Sequence, residues 1–193
     1  MSKENPDELR KQLRRQCIAA REALPAVEHA ALSARIAQHV SDELAQRPPG
    51  MLAFCWPFRA EFDARSLVTR LLDQGWRACL PVVDDRAADP RPMRFRTWAP
   101  QTPMAPDRHG IATPQAGDFV RPDVLLLPFN AIDAQGYRLG YGAGYFDRTL
   151  ATFDPKPYTL GIGFSLGVVS SVVPQAHDIP VDCIVTETGI SHI

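Results

Sequence analysis

The chain has 193 residues, of which 45% are hydrophobic and 22% are charged, and its formal net charge is -1. These values are typical of one globular domain over residues 1–193 with a full-sized core. The balanced charge argues against a polycationic nucleic-acid binder or a basic membrane anchor, and no apolar stretch approaches the ~20 residues of a membrane span.

The N-terminal segment and the cysteines indicate a compartment. The first residues are polar and charged, unlike a secretory signal. The four cysteines are scattered, with no C-x-x-C pair, and are Cys17, Cys55, Cys79 and Cys183. Reduced thiols in the cytoplasm are the expected state, with disulfides as the alternative.

The first predicted helix begins at Asn5 and runs to about Leu24, where Pro25 breaks it. Asn5 is a capping residue, Pro6 suits the first helical position and Glu8 can close a capping box. The apolar residues of this helix form a rough stripe along one face. Most of the remaining surface carries basic side chains, namely Arg10, Lys11, Arg14, Arg15 and Arg21. By itself such a cluster is most simply a solvated helix face.

A second helix is predicted from about Ala26 to Gln46 and serves packing only. A buried strand, residues 51–56, follows it and leads to Glu61 and Asp63. Asp63 is predicted to cap a helix that Gly75 ends. Carboxylates just past a strand lie where open α/β sheets bind ligands, although Glu61 can equally be a surface carboxylate.

The middle of the chain is rich in proline, so residues 84–122 are predicted to be mostly extended or turn structure. Asp107 and His109 are placed in a flexible loop and are assigned no chemistry. Gly161 and Gly163 allow close packing or close approach of a substrate. Strands are predicted at residues 77–83, 93–98 (an edge strand), 158–164 and 184–186.

A glycine-rich stretch follows the apolar run 124–127, which has the length of a strand buried on both faces. Gly140, Gly142 and Gly144 alternate, and a helix is predicted to begin at Tyr145 and end near residue 153. A strand followed by a glycine-rich turn and the start of a helix allows backbone N–H groups to bind an anion, because no side chain covers them. The alternative is a tight turn with glycines at positive φ.

Neither common nucleotide fingerprint explains this stretch. Tyr145 stands where G-x-G-x-x-G needs its third glycine, and no Gly-Lys-Ser/Thr of a Walker P-loop occurs. Arg138 and Asp147 flank the glycines as a phosphate-pairing cation and a possible Mg²⁺ ligand. Farther on, Asp178 precedes Ile179-Pro180, and alone it is most simply a turn aspartate.

The segment RLGYGAGYFDR, residues 138–148, follows PFNAID, residues 128–133. Together they resemble the signature of the 5-formyltetrahydrofolate cyclo-ligase family, roughly RLGxGxGYYDR after a short strand and a PG-x-x-F-D turn. Phe146 replaces the second tyrosine, and Pro128-Phe129-Asn130 replaces the usual Pro-Gly turn. Neither departure touches a loop glycine.

The resemblance covers nearly the whole chain and implies a role for each matching residue. Arg14 matches the arginine of a K-x-x-L-R step that reaches the ATP phosphates, and either Arg10 or Lys11 takes the lysine's place. The implied catalytic residues are Arg14, Arg138 and Tyr145. The implied ATP-binding residues are Arg10, Lys11, Arg14, Arg138, Leu139, Gly140, Tyr141, Gly142, Ala143, Gly144, Tyr145 and Phe146.

The implied substrate-binding residues are Trp56, Glu61, Tyr141, Gly142, Ala143, Gly144 and Tyr145. One carboxylate can accept paired N–H donors of a pterin-like ring, and an indole can cover its flat face. Asp147 and Asp178 are the implied Mg²⁺ ligands, because Mg²⁺ prefers oxygen donors.

Alternating helical and strand patterns predict an α/β fold, a three-layer sandwich with a largely parallel central sheet. The resemblance implies ATP-dependent cyclisation of 5-formyltetrahydrofolate to 5,10-methenyltetrahydrofolate by a monomer that binds Mg²⁺, a reduced folate and ATP. Two alternatives are a non-catalytic regulator that only binds a nucleotide or folate, and a sugar-phosphate isomerase or acyl-transferase on a similar scaffold. The sequence shows no independent sign of the general base or nucleophilic carboxylate that the last two need.

Overall fold

The computed structural model describes residues 5–83 and 91–193, so residues 84–90 of the proline-rich segment lie outside the described residues. Its helices are α1 (Pro6–Glu22), α2 (Ala26–Leu44), α3 (Arg65–Asp73), α4 (Tyr145–Leu150) and a short 3-10 helix (Ser165–Gly167). Its strands are β1 (Met51–Ala53), β2 (Arg77–Val82), β3 (Arg94–Trp98), β4 (Met104–Pro106), β5 (Ala112–Pro114), β6 (Phe119–Val120), β7 (Val124–Pro128), β8 (Ala131–Ile132), β9 (Arg138–Leu139), β10 (Tyr158–Ile162), β11 (Cys183–Thr186) and β12 (Gly189–His192).

Eight of these strands form one sheet in the order β12-β11-β10-β7-β1-β2-β3-β6. The five central strands, β11 to β2 in that order, are parallel to one another. The pairs β11–β12, β2–β3 and β3–β6 are antiparallel. The largely parallel sheet predicted from the sequence is therefore confirmed.

Strand β7 shows why the sheet has a layer on each face. Val124 and Leu126 pack into the cluster that α2 and α3 cover, whereas Leu125 and Leu127 pack into the cluster on the other face. All four side chains are buried, as a continuous apolar run in a parallel strand predicts. Leu150 of α4 closes the second cluster, which completes the three-layer arrangement.

Helix α1 begins as the sequence predicts. Asn5 caps it, with its Oδ1 accepting from the Asp7 N–H at 3.1 Å. The Glu8 side chain does not close a capping box but pairs with Lys11 at 2.8 Å. The helix ends at Glu22, two residues before the predicted end.

Four other predictions about elements differ from the structure in detail. Asp63 does not occupy the cap position of α3, which is Ala64, although its Oδ1 accepts from the Arg65 N–H at 3.0 Å. Its carboxylate also binds the Arg65 guanidinium at 2.6 Å. The strand predicted at an edge, β3, has β6 outside it. Helix α4 ends at Leu150, short of residue 153, and the strand after α2 ends at Ala53.

The β8–β9 hairpin holds the glycine-rich stretch over the sheet. Asp133 Oδ1 accepts from the N–H groups of Gln135 and Tyr137 at 3.2 and 3.1 Å, and its Oδ2 accepts from Val172 N–H at 3.1 Å. A buried carboxylate that satisfies three backbone donors fixes the turn. Arg138 and the glycines after it are thereby placed at the carboxyl ends of the parallel strands.

Gly163, one residue past β10, lies against the ring of Phe129. A Cβ at this position would come within 2.8 Å of two ring atoms. Of the two roles predicted for this glycine, close packing is thus the one that the structure shows. Within residues 5–83 and 91–193, the protein has no helix with the length and apolar character to cross a bilayer.

We expect Gly163→Ala to lower the free energy of unfolding by ~1–3 kcal/mol, because the added methyl forces the Phe129 ring to move. Gly140→Ala is the matched control, since a Cβ there meets no atom within 4 Å. Urea unfolding followed by circular dichroism measures both. Equal midpoints for the two variants would contradict the packing role.

Candidate active site

A cavity of about 410 Å³ opens at the carboxyl ends of β1, β2 and β7. Its walls come from α1, the segment after β1, the loop between β4 and β5, the glycine-rich stretch and the segment before Asp178. This is the edge at which parallel α/β sheets place ligands, because the strand ends leave a crevice there.

The cavity brings together most of the residues singled out in the sequence. They are Arg10, Lys11, Arg14, Trp56, Glu61, Arg138, Gly140, Tyr141, Gly142, Ala143, Gly144, Tyr145, Phe146, Asp147 and Asp178. Leu139 is the exception. It is 1% exposed and packs with Cys17 and Ala131 instead of facing the cavity.

The glycine loop, residues 140–144, follows β9 and ends at Gly144, the N-cap residue of α4. Gly142 has φ +105° and Gly144 has φ +62°, both in the region that disfavours side chains. Arg14 Nε donates to the Gly140 carbonyl at 3.0 Å, and its guanidinium carbon lies 3.6 Å from where a Gly142 Cβ would be. The arginine of α1 therefore lies directly against the loop.

At one end of the cavity, Glu61 is part of a buried hydrogen-bond network. Tyr141 Oη donates to Glu61 Oε1 at 3.0 Å, and Phe58 N–H donates to Oε2 at 3.1 Å. Arg21 Nη2 donates to the same Tyr141 hydroxyl at 3.1 Å. Burial raises the pKa of Glu61, and the nearby Arg21 charge opposes that shift.

Arg21 is a residue next to the candidate site whose burial the sequence did not reveal. It is 4% exposed, although the sequence indicated only a solvated basic residue. Its spacing carried a usable signal, because positions 10, 14 and 21 fall on one face of an α-helix. Burial also raises the pKa of Tyr141, so its hydroxyl stays protonated and available as a donor.

Trp56 and Glu61 both belong to the segment after β1, and both line the cavity. The Arg65 guanidinium lies 4.6 Å from the centroid of its ring. This contact holds the indole in place, as cation–π pairs do. A flat apolar wall next to a buried carboxylate suits a planar ring that carries N–H donors.

Arg138 lies at the other end of the cavity and is buried. Its Nη1 donates to the Ile179 carbonyl at 2.9 Å and lies 3.5 Å from Asp147 Oδ1. Burial lowers the pKa of Arg138, while Asp147 and Asp178 act in the opposite direction. Asp147 Oδ1 also accepts from Ile179 N–H at 3.2 Å.

Asp178 is held by Arg10 through two hydrogen bonds, 2.6 Å to Oδ2 and 3.2 Å to Oδ1. Gln175 N–H donates to Oδ2 at 2.8 Å. Burial alone would raise the pKa of Asp178, but these hydrogen bonds keep it below its usual range. Arg10 is therefore an ion-pair partner of Asp178 in this structure, and Lys11 pairs with the exposed Glu8.

The two carboxylates differ in their fit to Mg²⁺. Both line the cavity and offer the oxygen donors that Mg²⁺ prefers. The contacts that the structure shows for Asp147 both use Oδ1, so Oδ2 fits a direct ligand role. Asp178 has both oxygens engaged by Arg10, which fits contact through water.

The loop between β4 and β5 adds residues to which the sequence assigned no chemistry. Asp107 and His109 line the cavity. His109 Nε2 lies 3.3 Å from Tyr145 Oη, and Arg108 donates to the same hydroxyl. Local sequence gave no signal for this contact, because it depends on tertiary packing between segments 36 residues apart.

A second polar cluster lies away from the cavity. Glu43, Cys183 and His192 place potential ligand atoms within 4.8 Å of one another. Tyr158 donates to Glu43 Oε1 at 2.7 Å, and Arg47 lies 3.6 Å from the same oxygen. The other oxygen, Oε2, lies 3.5 Å from His192 Nε2, so the cluster links α2, β10 and the last strands.

Known proteins share this sequence pattern along nearly the whole chain. A profile of the 5-formyltetrahydrofolate cyclo-ligase family matches residues 6–187. A 5-formyltetrahydrofolate cyclo-ligase of Haemophilus influenzae is 28% identical over 177 residues, which span 89% of this chain and 94% of the relative. Another, of Escherichia coli K12, is 29% identical over 163 residues, 79% of this chain and 88% of the relative.

Solved structures agree in fold. The NMR structure of Aquifex aeolicus 5,10-methenyltetrahydrofolate synthetase has a TM-score of 0.77 at 27% identity, covering 95% of this chain and 92% of its own. A synthetase of that name from Mycoplasma pneumoniae, at 22% identity and a TM-score of 0.74, shares the fold over 92% of this chain and 98% of its own. This chain belongs to the 5-formyltetrahydrofolate cyclo-ligase family and is an enzyme of that family.

Proposed function

We propose that the protein converts 5-formyltetrahydrofolate to 5,10-methenyltetrahydrofolate at the expense of ATP, with Mg²⁺ bound, and releases ADP and phosphate. We further propose that it acts on these small molecules as a monomeric single domain in the cytoplasm. One observation carries the proposal. A single cavity joins a buried carboxylate next to an indole to a glycine loop flanked by arginines.

The chemistry explains why ATP is needed. A formamide carbonyl is a poor electrophile, and its oxygen is a poor leaving group. Transfer of the γ-phosphoryl group to the formyl oxygen makes that oxygen part of a phosphate ester. The neighbouring folate nitrogen then attacks the formyl carbon, loses its proton, and phosphate departs with the C–O electrons.

Phosphoryl transfer of this kind depends on positioning and charge neutralisation more than on a protein nucleophile. We assign that work to Arg14, Arg138 and the amides of the glycine loop. Arg14 and Arg138 both line the cavity, and burial strengthens the field that Arg138 exerts there. Positive φ at Gly142 and Gly144 keeps the loop backbone bare of side chains.

The remaining ATP contacts are assigned to the cavity residues Arg10, Lys11 and Tyr141–Phe146. Leu139 has no place among them, because it is buried in the core. Arg10 reaches phosphate only if its pair with Asp178 opens, so Lys11, whose side chain is 61% exposed, is the simpler candidate. We place Tyr145, whose hydroxyl contacts His109, at the boundary between nucleotide and folate.

At the folate end, we assign the ring system to Glu61, Trp56 and Tyr141. Each Glu61 oxygen accepts one hydrogen bond within the protein and retains a second lone pair. A pterin-like ring can donate two adjacent N–H groups to that carboxylate. Buried surroundings make such charge-assisted hydrogen bonds strong, since water does not compete.

For the metal, we assign Asp147 as a direct Mg²⁺ ligand and Asp178 as one that acts through water. When bound, Mg²⁺ neutralises phosphate charge. The two carboxylates also position cationic side chains. Asp147 pairs with Arg138, and Asp178 pairs with Arg10.

The proposal is tested by mixing the protein with 5-formyltetrahydrofolate and Mg-ATP. We expect methenyl product and ADP to appear together in equal amounts. ADP without methenyl product would indicate another phosphoryl acceptor, and neither product would indicate a protein that only binds.

Gly142→Val should reduce turnover by at least ~100-fold, because the side chain displaces Arg14 and shields the loop amides. Valine also strains a residue at φ +105°. Gly75→Val is the matched control for strain, since Gly75 has φ +92° and its nearest neighbours are Pro49 atoms at 3.8 and 3.9 Å. The control should lose stability yet keep kcat/KM. Equal turnover in both variants would refute the binding of phosphate by the amides of the glycine loop.

Asp147→Asn should raise the Mg²⁺ concentration needed for half-maximal turnover by about 10-fold, because the carboxylate that fits a direct ligand role is lost. A magnesium titration at saturating ATP measures this requirement. Asp73→Asn, at an exposed position on α3, is the control. A titration curve identical to that of the unmodified enzyme would remove Asp147 from the metal site.

Folate affinity should fall as the pH is lowered. The fall should begin at a higher pH than it would with a glutamate of ordinary pKa. The reason is that burial raises the pKa of Glu61, and only its ionised form accepts two N–H donors. Glu61→Gln should bind folate ~10-fold or more weakly and lose this acidic limb, while nucleotide binding stays unchanged. Quenching of tryptophan fluorescence at a series of pH values measures it. An unaltered acidic limb in the glutamine variant would assign the titration to another group.

A further inference from the structure

Asn130 lies between β7 and β8, where the sequence departs from the Pro-Gly turn of the family. Its side chain is buried, since the residue is 2% exposed, and it lines the main cavity. Within the described residues, neither its Nδ2 nor its Oδ1 has a hydrogen-bond partner. Buried carboxamides nearly always have such partners.

Asn130 differs from other buried side chains that have an unpartnered atom in the described part of the chain. Glu43, Arg96 and Arg148 each use another polar atom of the same side chain, on Tyr158, Pro114 and Ala143 respectively. The fourth, Arg47, has its Nη2 3.6 Å from Glu43 Oε1 as an ion pair. Asn130 has its entire polar group unsatisfied. Folding alone does not favour an asparagine here, because an apolar residue of the same shape would avoid the cost.

The backbone at Asn130 is connected to both groups of residues that the proposed function assigns to the two substrates. Its N–H donates to the Leu139 carbonyl at 2.8 Å, directly before the glycine loop. The carbonyl of the preceding residue, Phe129, accepts from Arg21 Nη1 at 3.4 Å, and Arg21 belongs to the network around Glu61. Asn130 thus belongs to the wall of the cavity and adjoins both groups through its backbone.

The reacting end of the folate matches what a carboxamide offers. The formyl oxygen is an acceptor, and the nitrogen that attacks the formyl carbon carries a proton to donate. A carboxamide presents a donor and an acceptor side by side in one plane. Few other side chains could bind both atoms at once.

We propose that Asn130 binds the reacting end of the reduced folate, with Nδ2 donating to the formyl oxygen and Oδ1 accepting from the N–H of the attacking nitrogen. This inference rests on the proposed function and adds a contact to it. By holding the nitrogen beside the formyl carbon, Asn130 favours ring closure over loss of the activated group to water. The second lone pair of the formyl oxygen remains free to accept the phosphoryl group.

The test uses Asn130→Leu, which keeps the shape and removes both polar atoms. We expect an unfolding midpoint equal to or above that of the unmodified protein, because an unpaired donor and acceptor are removed. We also expect kcat/KM for 5-formyltetrahydrofolate to fall about 10- to 100-fold. The Kd of a non-hydrolysable ATP analogue should stay unchanged.

Asn130→Asp provides a second variant, which keeps the size and one acceptor but loses the donor. It should show the same loss of kcat/KM even if leucine disturbs packing. A change of less than twofold in kcat/KM for both variants would overturn the proposal. Weaker binding of the ATP analogue with folate affinity intact would also overturn it, because Asn130 would then serve the nucleotide.

The proposed function has its own readout. If the unmodified protein makes no methenyl product, that function fails, and the contact is judged by folate binding alone. A folate Kd raised about 10-fold or more by both variants would still support the contact, and an unchanged Kd would reject it.

Discussion

Helix α1 holds the active site together through three arginines on one face. Arg10 binds Asp178, Arg14 binds the Gly140 carbonyl, and Arg21 binds the Tyr141 hydroxyl. Arg10 and Arg21 are buried, at 7% and 4% exposure, so each needs its polar partners to remain charged inside the protein. Each of these two guanidiniums also donates to backbone carbonyls, Arg10 to Val173 and Arg21 to Arg59 and Phe129. Together these hydrogen bonds fix the position of α1 against the cavity.

The cavity holds charges of both signs. Arg14 and Arg138 lie beside the glycine loop, whereas Glu61 accepts from Tyr141 of that loop. Under the proposed function, the arginines favour a phosphate chain and the carboxylate favours a ring with N–H donors within the same cavity of about 410 Å³. These side chains are already positioned at the edge of the sheet.

The sequence was sufficient to predict the fold and most of the residues that line the cavity, and the reasons are physical. The run 124–127 is apolar at every position, which only a strand covered on both faces explains, and the alternating glycines occur where a bare backbone is needed. Both signals are local. The contiguous motif predicted Leu139 as an ATP contact, and the structure shows its side chain in the core, because a strand points alternate side chains in opposite directions.

What the sequence did not reveal depends on distant pairing. Arg21 reaches Tyr141 across 120 positions, and His109 meets Tyr145 from a separate hairpin. Asn130 was visible only as a departure from a turn motif, and its unsatisfied carboxamide became apparent once burial and partners were known. The spacing of charged residues shows which of them share one face of a helix, but not what packs against that face. The exposure of each side chain therefore becomes known only from the tertiary structure.

The order of α1 and its partners along the chain has a consequence for folding. The contacts of α1 with Gly140 and Asp178 join residues 126 and 168 positions apart. Contacts of such large sequence separation carry a cost in loop-closure entropy, which slows their formation. Assembly of the cavity wall that α1 provides therefore belongs to the slow, non-local part of folding.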